Sequence, residues 1–225
     1  MIPTLKTDTF AVFDDFLSPE DLTAVRRYVA DERMTYLKNM RKPNHLYRLV
    51  EGDPLLGPTT FYGHPNLPQG FSSYPSGTPV DTVCTTLLDG AEAFSSWIGF
   101  QGTDWQYFSC TPYVYPAGSG LSWHDDALGR AGSFVLYVHD EWKSSWGAEL
   151  LIANQVGQRE PRVEQHQGVD TDLGHYVAPV PNRLVVIRAG TPHRVKNVSA
   201  RAGDHYRMSV TGFFESRPTR SADTE

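Results

Sequence analysis

The sequence predicts a mainly β protein with supporting helices near its N-terminus, and three observations carry that expectation. From residue 105 onward, short aromatic and β-branched runs recur with Gly, Pro, Asn or Asp between them, as strands and turns do. Two helical patterns precede these runs and none separates them. Successive strands without intervening helices pair antiparallel, as a sandwich or barrel. At 225 residues the whole chain, 1–225, fits one domain with a full core.

In order, Thr9 to Phe16 alternates and reads as a strand. Ser18-Pro19-Glu20-Asp21 opens a helix: Ser18 suits the N-cap, Pro19 the first helical position, and the acids the first turn. Leu22, Val25 and Val29 continue it to about Asp31 at helical spacing. Residues 35–78 are broken by prolines and glycines, yet Tyr36, Tyr47, Phe61, Tyr62, Phe71 and Tyr74 are too many aromatics for a solvated linker. Such a segment reads as an ordered lid or pocket wall, or as a surface loop pinned by its rings. Asp81 to Gly99 forms one helix, with Val83, Leu87, Ala91, Phe94 and Ile98 on one face and Gly99 past its end. Strands follow over Trp105 to Tyr115, Gly132 to His139, Ala148 to Ala153, Arg183 to Arg188, Arg194 to Val198 and Asp204 to Phe214. The polar end, 217–225, reads as a flexible tail.

Charge narrows the partners. A net charge of −6 and a pI near 5.7 argue against nucleic acid or an anionic membrane surface. No apolar run approaches a membrane span and the start lacks a secretory signal pattern. Two cysteines, Cys84 and Cys110, make no disulfide framework, so a reduced, cytoplasmic setting is expected.

Chemistry concentrates in Trp123-His124-Asp125-Asp126. On a strand, His124 and Asp126 leave the same face and Asp125 the other, which selects Asp126 as the partner carboxylate. Gly190-Thr191-Pro192-His193 delivers a second histidine at the start of a later strand. Two imidazoles and one carboxylate occupy three adjacent positions of an octahedral ion, the facial triad of non-haem Fe(II) sites. The segment from His193 to Arg207 reads as a hairpin turning near Ala200, which makes His193 and Arg207 direct partners on one face. Ser209 shares that face. An arginine fork beside a hydroxyl suits a carboxylate. Arg201 competes for the role but falls at the hairpin tip.

The pattern His-x-Asp, a distal His, then Arg-x-Ser resembles the Fe(II)/2-oxoglutarate-dependent oxygenases, in detail their prolyl-4-hydroxylase-like branch. Phe13-Asp14-Asp15-Phe16-Leu17-Ser18 before a helix is similar to that branch's start. Tyr115 with Gly118 and Gly120, Leu136-Tyr137-Val138, and Gly147-Ala148-Glu149-Leu150 are similar to its strands around the metal. The resemblance implies a double-stranded β-helix (a jelly roll) holding Fe(II) through His124, Asp126 and His193. It also implies 2-oxoglutarate and O2 as cosubstrates, with the far carboxylate of 2-oxoglutarate on Arg207, helped by Ser209 and Tyr115. An aspartate at 126 disfavours the related halogenases, in which Ala or Gly stands there.

The expected reaction is oxidation, chiefly hydroxylation, of an unactivated C–H in a small molecule such as an amino acid or natural-product intermediate. Two alternatives stand beside it: modification of a protein or peptide, and a jelly-roll module that binds metal without turnover. Tyr115 is either a contact to 2-oxoglutarate or a core tyrosine. Arg188 and Arg130 are either substrate anchors or solvated residues. His205 has the parity of Arg207 and is a substrate candidate, as is His64 in the irregular segment. His139, His166 and His175 read as structural or surface residues.

Overall fold

Two β-sheets lie face to face in the computed structural model, which describes residues 1–31, 34–39, 50–67, 69–126, 129–154 and 174–216. Strands β1 (Leu5–Lys6) and β2 (Phe10–Phe13) lead into helix α1 (Pro19–Asp31). Short strands β3 (Thr35–Tyr36), β4 (Val50–Glu51), β5 (Leu55–Leu56), β6 (Thr60–Tyr62) and β7 (Ser72–Ser73) follow. Helices α2 (Val80–Asp89) and α3 (Ala91–Ile98) come next, then the long strand β8 (Tyr107–Tyr115). After it run β9 (Gly120–His124), β10 (Arg130–Tyr137), β11 (Leu150–Ala153) and β12 (Gly174–Val177). Strands β13 (Leu184–Arg188), β14 (His193–Val195) and β15 (Arg207–Glu215) complete the set.

The larger sheet has the order β1-β2-β13-β10-β15-β8-β5-β3, with β6 also on β8 and β7 on β6. The smaller has the order β12-β11-β14-β9-β4. All pairings are antiparallel except β6 with β7. From β8 onward the chain steps between the sheets, β9, β11, β12 and β14 in one and β8, β10, β13 and β15 in the other. This winding is the jelly roll that the sequence led us to expect.

Side-chain parity explains how the larger sheet holds both sides of the molecule. Phe134, Leu136, Leu184, Val186, Val210 and Phe214 pack outward against Val25, Val83, Leu87, Phe94 and Ile98 of the helices. Their alternates, Val135, Tyr137, Val185 and Ile187, pack inward against Leu121, Leu150, Ile152 and Val195 of the smaller sheet. A strand buried on both faces needs a continuous apolar run, and Leu184-Val185-Val186-Ile187 is one.

Helix α1 begins as its sequence predicts. The Asp21 amide donates to Ser18 Oγ at 3.1 Å, and that hydroxyl donates to Asp21 Oδ2 at 2.6 Å. The single helix expected over Asp81–Gly99 is instead two, divided at Gly90. The Phe94 ring closes against the bare Cα of Gly90, where a Cβ would sit 2.7 Å from its Cζ, so the chain bends and both halves seat on the sheet.

The predicted hairpin between His193 and Arg207 does not form. Strand β14 pairs with β9 and β11, whereas β15 pairs with β8 and β10 in the opposite sheet. The connecting backbone is taken up elsewhere: Val198 bonds Ser119 and Gly118, and Ser199 bonds Trp146. Those hydrogen bonds carry the chain across the roll rather than back along itself.

The irregular segment contributes edges to both sheets. Strand β4 adds to β9, while β5 and β6 add to β8. Tyr47, His166 and the tail 217–225 lie outside the described residues. No described helix is long and apolar enough to cross a membrane.

Candidate active site

His124 ends β9 and His193 begins β14, and the two are direct cross-strand partners. Their ring centroids lie 4.2 Å apart. A bulge makes this possible. Leu121 and His124, three apart on β9, oppose Val195 and His193, two apart on β14. Without the extra residue, alternation would send Leu121 and His124 to opposite faces; with it, both point inward.

Asp126 lies just past the strand, so its place is not set by strand alternation as the spacing suggested. Its Oδ2 nevertheless stands 3.3 Å from His193 Nε2, and its Oδ1 accepts from Arg130 Nη1 at 3.3 Å. Ligating atoms of His124, Asp126 and His193 all fall within 4.8 Å of one another, and all three residues are buried. Asp125 is outside this cluster.

Both imidazoles are held in one orientation. The Nδ1 of His124 lies 2.8 Å from Ser122 O, and the Nδ1 of His193 lies 2.9 Å from Thr191 O. A carbonyl only accepts, so Nδ1 carries the proton and donates, leaving the Nε2 lone pair for a cation. Burial, then the neighbouring His193, pushes the His124 pKa down to about 4. Burial also opposes charge on His193, but the hydrogen bond and charge of Asp126 outweigh it and raise its pKa. On Asp126 burial works upward and loses to His193, His124 and Arg130, which hold the carboxyl well below the usual range. Two imidazole nitrogens and an ionised oxygen, converging in a buried place, fit a divalent first-row ion. A proton and a metal compete for the same lone pairs.

The cavity between the sheets encloses about 630 Å³ out to its mouth. Arg207 lines it from the larger sheet, facing inward from β15. It is only 2% exposed, yet no carboxylate among the described residues pairs with it. Its guanidinium carbon lies 5.0 Å from the Tyr115 ring centroid and 4.9 Å from that of Tyr137. Nη1 donates to Ser209 Oγ at 3.4 Å, and Nε is buried without a partner among the described residues. Tyr115 is the direct cross-strand partner of Arg207, and Ser209 stands opposite Tyr113 and Tyr137. Thus Arg207 shares a cavity with His193, though from the facing sheet rather than the neighbouring strand.

The three substrate candidates fare differently. Arg188 is exposed and donates to Ser96 O at 2.9 Å, while its neighbour Ile187 takes the cavity position, so strand parity turns Arg188 outward. His205 is exposed in the connection before β15 and stacks on Trp146, 4.3 Å between centroids, outside the cavity lining. Arg130 does reach the site, but through Asp126. His64 packs edge-on against Phe61 and Tyr107 and does not line the cavity. His139 is a buried structural residue whose ring nitrogens face the carbonyls of Pro179 and Met208.

Several lining residues escaped the sequence reading: Leu37, Val50, Tyr113, Thr211 and Phe213. Thr211 and Phe213 were recoverable, since they continue the parity of Arg207 and Ser209. Leu37 and Val50 were not, because nothing in a proline-broken segment announces which residues turn inward.

Comparison with known proteins agrees with this geometry. Residues 110–215 match the model of the 2OG-Fe(II) oxygenase superfamily. No curated protein matches the chain in sequence. In fold it is similar to a Pseudomonas putida prolyl-4-hydroxylase, with TM-score 0.59 and 20% identity over 93% of each chain. It is also similar to a Trichoplax adhaerens prolyl hydroxylase solved with a peptide fragment of the hypoxia inducible factor oxygen degradation domain. That pair has TM-score 0.60 and 16% identity, covering 97% of this chain and 89% of the other. A Burkholderia pseudomallei 2OG-Fe(II) oxygenase family protein aligns at TM-score 0.57 and 14% identity, over 92% of this chain and 85% of that one. The matched segment carries the facing strands, the converging donors and the buried arginine: residues 110–215 form a 2OG-Fe(II) oxygenase superfamily domain within a chain whose fold is prolyl-4-hydroxylase-like, and the chemistry of that family calls for Fe(II), 2-oxoglutarate and O2.

Proposed function

We propose that His124, Asp126 and His193 hold the iron, that Arg207 with Ser209 and Tyr115 anchors the far carboxylate of 2-oxoglutarate, and that 1–225 works as one domain. The observation that carries this reading is the buried guanidinium of Arg207, without a carboxylate partner among the described residues, in the same cavity as the donor cluster. A buried cation without a counter-charge is costly, and such a group is kept where an anion is received. Fe(II), with 2-oxoglutarate and O2, supplies the oxidising power for a C–H bond. The chain itself supplies placement. Carbonyls of Ser122 and Thr191 fix the imidazoles, and the Tyr115 and Tyr137 rings flank the guanidinium.

The substrate we assign is a small molecule, an amino acid or natural-product intermediate that is hydroxylated. A net charge of −6 and a chain of 225 residues support a free metabolite over a polyanion. Modification of a protein or peptide is the second reading, favoured by the likeness in fold to a prolyl hydroxylase solved with a peptide. The deciding assay follows succinate released from 2-oxoglutarate with Fe(II) in air, across panels of free amino acids and of proline-containing peptides. Stimulation by free amino acids is expected. Stimulation by peptides alone would move the assignment to the second reading, and no succinate without added Fe(II) or O2 is the control.

A further inference from the structure

Arg130 occupies a place that regular strand geometry would deny it. In β10, Ser133 and Val135 belong to the cavity face, while Phe134 and Leu136 pack in the helix-side core, although Phe134 also borders the cavity. Strict alternation would therefore send Arg130 outward. A bulge intervenes: Arg130 opposes Glu215 and Gly132 opposes Phe214, so two steps on β10 meet one on β15. Arg130 thereby takes the parity of Phe213 and Glu215 and turns toward the site.

Two contacts and a neighbouring acid hold it there. Its guanidinium carbon lies 3.4 Å from the centroid of the Phe213 ring, a close cation–π stack. Glu215 stands directly across the ladder, itself hydrogen-bonded by Tyr107. Nη1 then donates to Asp126 Oδ1 at 3.3 Å, leaving Oδ2 as the oxygen turned to His193. With two acidic neighbours, this arginine has no unbalanced charge to offer a substrate carboxylate. Of this ion pair Asp126 is buried and Arg130 mostly so. Asp126 lies beyond the ladder of β9, so strand pairing does not set the direction of its side chain.

We propose that Arg130 is a positioning residue, braced by Phe213, that holds Oδ1 of Asp126 so that Oδ2 alone is presented beside the two histidine nitrogens. This rests on the metal assignment above and goes beyond it, replacing the substrate-anchor role suggested for Arg130 by sequence.

The test is Co(II) binding to the full-length protein without 2-oxoglutarate, followed by visible absorption and calorimetry. Arg130→Met keeps an apolar stem over Phe213 but removes the donor. It should weaken Co(II) by roughly 10- to 100-fold and alter the cobalt absorption bands, as loss of a group supporting a ligand does. At saturating metal its affinity for 2-oxoglutarate should stay within about twofold, since that anchor is Arg207. Arg130→Gln, which restores an N–H donor, should recover part of the loss. Phe213→Leu removes the brace and keeps the arginine, and it too should weaken Co(II); if Arg130→Met fails to fold, the Phe213 variant decides the question by itself. Wild-type Co(II) affinity in whichever of these variants folds overturns the inference. A wild-type protein that takes up no Co(II) overturns the metal assignment, and this inference with it.

Discussion

At Arg207 the proposed function and the fold make opposite demands. A guanidinium 2% exposed, with a hydroxyl partner at 3.4 Å and no carboxylate among the described residues, is poorly compensated. Replacing a buried charge by a well-packed apolar side chain of similar volume is often neutral or stabilising. We therefore expect Arg207→Met to unfold no more easily than wild type when ligand-free, with a gain of about 1 kcal/mol in denaturant titration. The same variant should bind 2-oxoglutarate more weakly by roughly two orders of magnitude or more, because an anion loses its buried partner. Lower ligand-free stability together with unchanged 2-oxoglutarate binding would make Arg207 a structural residue instead. The Tyr115 ring is buried in the inner core, as one of its two readings has it, and it also flanks the guanidinium.

Among the elements, irregularities in otherwise regular strands place the chemistry. The bulge in β9 turns His124 inward and the bulge in β10 turns Arg130 inward. A third irregularity lies at Gly212, in the centre of the larger sheet between β8 and β10. The pairing of β15 with β8 is interrupted between Thr211 and Phe214, and the β8 backbone closes onto the glycine. A Cβ there would stand 1.6 Å from Ser109 O and 2.7 Å from Phe134 Cε1, and backbone cannot yield as a flexible side chain does. Gly212→Ala should cost about 3 kcal/mol or more by overpacking, read as a lower denaturation midpoint. A variant as stable as wild type would show that this central strand shifts freely. Because Thr211 and Phe213 flank the glycine and line the cavity, a surviving Gly212→Ala should also bind ligand less well.

For the molecule as a whole, the site exists only while the two sheets face each other. The donors of the metal cluster come from the smaller sheet and the turn after it, and the buried arginine from the larger one. Ligands that engage both sheets bind the folded state alone and stabilise it by mass action. With 2-oxoglutarate present throughout, Co(II) at about 100 times its dissociation constant should add about 3 kcal/mol, a rise of roughly 6–12 °C in melting temperature for this size of chain. Chelator should reverse the rise, and His193→Ala should abolish it whatever its own starting temperature. An equal rise in that variant would place the bound metal elsewhere.

Much of this was legible in the residues. Local rules suffice for the Ser18 cap, for the β13 core strand and for the mainly β architecture, because each depends on neighbours within a few positions. The pair His124 and Asp126, with His193, was legible because the chemistry of a metal demands those residue types. The route to Arg207 was not: parity put it on the correct face, but of a different sheet from the one expected. Pairing partners are chosen by hydrogen bonds between distant segments, such as Val198 with Ser119, that no local pattern encodes. Likewise Arg130 differs from a solvated strand-end arginine only through one inserted residue opposite Glu215. Sequence determined which groups this protein has and the chemistry they suit; tertiary structure alone decided which of them meet, because meeting depends on register, bulges and crossovers set by the whole chain at once.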